Sequence, residues 1–123
     1  MKRLGFARLT TADLMKRFAD IGVAQDEALL EDESARFNRL YSEKVAIVEE
    51  LKSRPDDQRS TLLTLYDHPN MQVRLNAAKA TLAVAPGEAR RKLEAIANSG
   101  WQPQAGDAGM SLWNLDRGVF KPT

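Results

Sequence analysis

The chain predicts an all-α domain of about six helices arranged in antiparallel pairs, and three observations carry that expectation. Apolar residues recur at helical rather than strand spacing along almost the whole chain. Breaks rich in proline and glycine, at Arg54-Pro55, Pro86-Gly87 and Ser99-Gly100, cut it into lengths typical of helices. Between the first two breaks, residues 71 to 85 are apolar on two nearly opposite sides, as only a helix walled in by neighbours can be.

In chain order, Thr10 with Asp13 three residues on has the form of a capping box, so the first helix starts there, carries Leu14, Phe18 and Ile21 inward, and ends at Gly22. A long second helix is expected from Asp26 to Ser53. Its acidic cluster Glu31-Asp32-Glu33 falls in the early turns, with Leu30, Phe37, Tyr41, Val45 and Val48 on one face and Leu29, Leu40, Ile47 and Leu51 beside it. Pro55 is placed to begin a third helix through Tyr66, because proline suits a first helical position and Asp56 and Asp57 complement the macrodipole.

Asp67-His68-Pro69-Asn70 reads as a turn. The fourth helix, Met71 to Ala85, sets Val73, Ala77, Ala80 and Val84 on one side and Leu75, Ala78 and Leu82 on the other, leaving Gln72, Asn76, Lys79 and Ala83 as a polar stripe. The fifth runs from Glu88 to Asn98 with Ala89, Leu93, Ile96 and Ala97 inward. The sixth runs from Pro103 to Arg117, stopped by Gly118. Residues 1–10 and 119–123 are expected to be extended or poorly ordered, around a single domain over 1–123.

Composition narrows the function classes. With 43% hydrophobic and 28% charged residues the chain is ordinary globular protein, and its length suits one domain. It contains no cysteine and one histidine, His68, so no thiolate or histidine cage is available for a metal, and neither a metal nor a cofactor is expected. The cysteine-free composition and the lack of a long apolar run fit a cytoplasmic protein away from the membrane. A net charge of +1 gives no global drive toward nucleic acid, although Arg90-Arg91-Lys92 forms a local basic run. No phosphate loop, serine elbow or metalloprotease helix occurs, and His68 lacks a nucleophile or carboxylate constellation, so the chain reads as a non-enzyme.

The run His68-Pro69-Asn70-Met71-Gln72-Val73-Arg74-Leu75-Asn76-Ala77-Ala78-Lys79-Ala80-Thr81-Leu82 resembles the second helix of a HEAT repeat: a turn with Asp or Asn, then Val-Arg, then paired alanines and a leucine. The resemblance implies a short right-handed α-α superhelix of HEAT or armadillo type, with Arg74 bonding across the repeat to a turn group such as Asp67. Through Phe37-Asn38-Arg39-Leu40, the His-Pro-Asn turn with Val73-Arg74-Leu75, and Phe120-Lys121-Pro122, the whole chain is also similar to a small bacterial family known only as a domain of unknown function, number twenty-nineteen. That family implies the same helical architecture and brings no catalytic residues.

Solenoids bind along the surface shared by successive second helices. The candidate partner-binding residues are therefore Gln72, Asn76 and Lys79, with Trp113 and Asn114 on the sixth helix and Trp101 before it; Asp67, Asn70, Arg74 and Asn38 are candidate structural residues. The leading expectation is an adaptor that recognises another protein, in one version an immunity-type inhibitor of a toxin, with self-association into a homodimer as a further option. The alternative is nucleic-acid binding through Arg74, Lys79, Arg90, Arg91 and Lys92. A DNA-glycosylase-like pairing of Trp113 with Asp116 is the enzymatic alternative.

Overall fold

The structure, a computed structural model, describes residues 2–123, with side chains from residue 5 onward. Among them are six α-helices and one 3₁₀ segment, and no strand. The chain divides into two compact units, Met1–Thr61 and Leu62–Thr123.

The first unit holds α1 (Lys2–Ala7), α2 (Thr11–Leu30) and α3 (Ser34–Ser53). Thr10 caps α2 as its sequence predicts: its hydroxyl oxygen accepts the Asp13 N–H at 3.0 Å. The helix does not stop at Gly22, which is buried in mid-helix. Glycine costs about 1 kcal/mol there, less than the roughly 1.5–3 kcal/mol gained by burying each large apolar side chain. The stripe Leu14, Phe18, Ile21, Gln25 and Ala28 runs straight through that glycine and is buried throughout.

The expected helix from Asp26 to Ser53 is broken at residues 31–33, so the acidic cluster forms a turn and not a first helical turn. Asp32 takes a left-handed φ of 56°, its N–H donates to the Leu29 carbonyl, and the Glu33 N–H reaches back to the Ala28 carbonyl at 2.8 Å. That pair of bonds is a Schellman closure with aspartate in the position glycine usually takes. The α2–α3 hairpin that results buries Ile47 and Leu51 of α3, while Tyr41 and Val45, expected in the core, are 50% and 41% exposed. Leu29 and Leu30, expected on the same stripe, end α2 at 39% and 82% exposed because the break at 31–33 takes them out of it. The core-facing direction of α3 is rotated toward Ile47 and Leu51.

Residues 2–7 form α1 where an extended segment was expected; Met1 lies outside the described residues. Phe6 buries its ring, and Arg54 fixes the segment by donating to the Phe6 and Leu9 carbonyls at 3.0 and 2.6 Å. Arg54 has extended backbone, as a residue before proline should. Pro55 does not start a helix, however, because Asp56 and Asp57 both adopt positive φ, 64° and 47°. Asp57 is held there by a two-pronged ion pair with the buried Arg59, at 2.8 and 2.6 Å. The chain then winds into the 3₁₀ segment Gln58–Asp67.

In the second unit Asn70 caps α4 (Met71–Ala80), accepting the Val73 N–H at 3.2 Å. The helix ends at Ala80, five residues earlier than expected, with Thr81 as its C-cap. The buried Thr81 hydroxyl donates to the Ala77 carbonyl at 2.8 Å and so accepts from the Tyr66 hydroxyl at 2.6 Å. Pro86 then opens α5 (Pro86–Ala97), and α6 covers Gln104–Asp116. Leu75, Ala78 and Leu82 join Ala89, Leu93, Ile96 and Ala108 in one core. Val73 and Ala77, on the other side of α4, are fully buried as well.

Candidate partner-binding surface

The polar stripe expected on α4 is not a surface. Gln72 and Asn76 are 5% and 2% exposed, and both serve a buried chain of side-chain amides. Gln104, at the first turn of α6, donates through Nε2 to Gln72 Oε1 at 3.0 Å, and Gln72 Nε2 donates to Asn76 Oδ1 at 3.0 Å. Buried amides need such partners, and this relay ties α4 to α6. Helical periodicity could not reveal it, because the partner lies 32 residues away. Lys79 does reach solvent and pairs with Asp107 at 2.9 Å.

The tryptophans are exposed. Trp101 is 61% and Trp113 57% open to solvent, the latter with Arg117 over its ring at 5.5 Å. Met110, one turn before Trp113 on the same face, is 57% exposed. Sequence reasoning missed Met110, although a signal existed: Ala105, Ala108, Leu112 and Leu115 make the inward face of α6, which leaves Gly106, Met110, Trp113 and Arg117 facing out. Asn114 contributes through its backbone. Its carbonyl accepts the Val119 and Phe120 N–H groups at 2.9 and 3.1 Å. The tail is thereby fastened to the end of α6 with both apolar side chains in water.

Of the structural candidates, Arg74 donates through Nε to the His68 carbonyl and not to Asp67. His68 Nδ1 in turn accepts the Asn70 N–H at 3.0 Å, so the turn is closed by its own members. Asp67 is exposed at the edge of a shallow cleft shared with Tyr66, Glu88, Arg91 and Lys92. Asn38 is exposed and lines a groove at the α2–α3 turn.

Ion pairing engages several of the basic residues. Arg90 makes a two-pronged contact with Asp116 at 2.7 and 3.0 Å and also meets Glu94 at 3.3 Å. The Arg90 guanidinium holds the Asp116 carboxyl below its ordinary range, so that carboxylate is committed to an ion pair. Among the described residues no group of histidine and carboxylate side chains is placed to hold a metal ion, and no helix is long and apolar enough to cross a membrane.

These features define an all-helical protein whose last helix exposes Met110 and Trp113. The chain belongs to the family described as Domain of unknown function (DUF2019), whose model matches residues 12–116. It is similar to a protein of known crystal structure, RPA1889 from Rhodopseudomonas palustris CGA009. The two are 57% identical with a TM-score of 0.93, over 95% of this chain and 97% of that one. Among curated proteins, none matches.

Proposed function

We propose that this chain is a non-catalytic cytoplasmic binding protein that recognises another protein through the outward face of α6, on a scaffold of HEAT or armadillo type. The observation that carries the reading is Trp113, more than half exposed beside the equally exposed Met110. Large apolar side chains grouped on a surface are costly to keep in water, and tryptophan and methionine are enriched at protein interfaces. Arg117 over the indole supplies a cation at the rim. An immunity-type inhibitor is one version, supported by analogy of architecture alone.

Nucleic-acid binding has less support, because three of its five cations are engaged: Lys79 by Asp107, Arg90 by Asp116 and Arg74 by the His68 carbonyl. A glycosylase-like use of Asp116 meets the same obstacle. The test is affinity capture from the native cell with the wild-type chain and with Met110→Ser/Trp113→Ser. A single protein retained by the first and lost by the second is expected. Capture that ignores the double substitution refutes the reading, as does oligonucleotide binding that falls steeply with salt.

A further inference from the structure

We infer that the groove at the α2–α3 turn receives the C-terminal segment of a second copy of this chain. The groove, of about 280 Å³, is lined by Ala28, Leu29, Asp32, Glu33, Phe37 and Asn38. Its apolar floor is open: Leu29 is 39% exposed, and the neighbouring Leu30 is 82% exposed. Its rim is acidic beyond what its own cations neutralise. Glu27, Glu31 and Glu33 converge on the single guanidinium of Arg36 at 3.3, 3.5 and 3.0 Å. With Asp32 of the lining added, and Arg39, whose charge reaches Glu33, counted beside Arg36, these groups carry four negative and two positive charges. The crowding is felt locally: the hydrogen bond and charge of Glu33 push the Glu31 carboxyl up from its ordinary value.

A segment that complements this groove must present an apolar anchor between cations, and residues 117–121 do so. Val119 and Phe120 are 72% and 48% exposed, and Arg117 and Lys121 flank them with no acid between. The two N–H bonds to the Asn114 carbonyl hold the start of this segment in one conformation, which lowers the entropy cost of docking. An aromatic ring on the groove floor buries a large apolar area, while the two cations meet the surplus carboxylates. Groove and tail are different surfaces, so the contact is heterologous.

The test uses the full chain and two substitutions at exposed positions, Phe120→Asp in the tail and Asn38→Arg in the groove, each checked by circular dichroism for retained helix. Sedimentation equilibrium of the wild type is expected to show a mean mass rising above 13.7 kDa with concentration, and rising less at high salt. Each variant alone should associate at least tenfold more weakly. An equimolar mixture of the two should recover a mixed dimer, because each keeps the surface the other lacks. A wild type that stays monomeric up to millimolar concentration overturns the inference. So do variants that associate as strongly as the wild type, and a mixture that behaves as two separate variants.

Discussion

Substituting Gln72 by leucine should damage this protein more than the same change at Gln104, and the difference comes from the order of the amide relay. Gln72 is the middle member: it accepts from Gln104 Nε2 and donates to Asn76 Oδ1, both at 3.0 Å, and all three side chains are at least 95% buried. Gln72→Leu therefore takes a partner from two buried amides, whereas within the relay Gln104→Leu takes one from Gln72 alone. Each buried polar group that loses a partner costs about 1–3 kcal/mol. The expected losses are thus roughly 2–6 kcal/mol for Gln72→Leu and about 1–3 kcal/mol for Gln104→Leu. Urea unfolding followed by tryptophan fluorescence suits the measurement, because Trp101 and Trp113 both lie in the unit that holds the relay. The midpoint should fall with the slope unchanged. A Gln72→Leu protein no less stable than Gln104→Leu would refute the reasoning.

Two further predictions concern local strain and pH. Asp32→Gly and Asp56→Gly should each stabilise the protein by about 0.5–1 kcal/mol in thermal or urea melts, since both positions have positive φ and the left-handed region costs a side-chain-bearing residue about 1–2 kcal/mol. Asp57→Gly should do the opposite despite its φ of 47°, because it removes the ion pair to buried Arg59. That ion pair also sets a pH dependence: hydrogen bonding to Arg59 lowers the Asp57 pKa below its ordinary 3.8. A carboxyl lowered on folding contributes stability that is full above the unfolded pKa and lost as the pH falls through the folded one. Asp57→Asn should therefore be less stable at neutral pH and show a shallower fall below about pH 4; parallel acid titrations of the two proteins would contradict this.

Features governed by neighbours in sequence were legible from the chain: the Thr10 cap, the Asp67 to Asn70 turn, the stop at Gly118 and the two buried sides of α4. Pro86, read as a helix stop, instead opens α5 two residues before the expected start at Glu88. Misreadings arose where a distant group decides the outcome. Asp32 performs a glycine's task, which the alphabet of helix stops does not announce. Gln72 and Asn76 look like solvent-facing residues until Gln104 arrives from α6. Tyr41 and Val45 share a stripe with core residues but face outward, because a hairpin needs only part of a broad apolar face. Of the surface itself, Trp113 and Trp101 could be named from sequence. Met110 and the anchored tail needed the inward face of α6 to be known first.

The grip of Arg54 on the start of the chain has a consequence for how that region can vary. Its guanidinium takes the carbonyl oxygens of Phe6 and Leu9 and approaches the Thr11 hydroxyl at 3.3 Å, with Glu50 steadying it at 2.9 Å. Carbonyls are common to every residue type, so the latch recognises the path of the main chain and is blind to most of the letters written along it. Related proteins can thus drift at the exposed positions 7 and 8 and keep the segment docked, whereas loss of the one arginine would leave those first turns open to proteases.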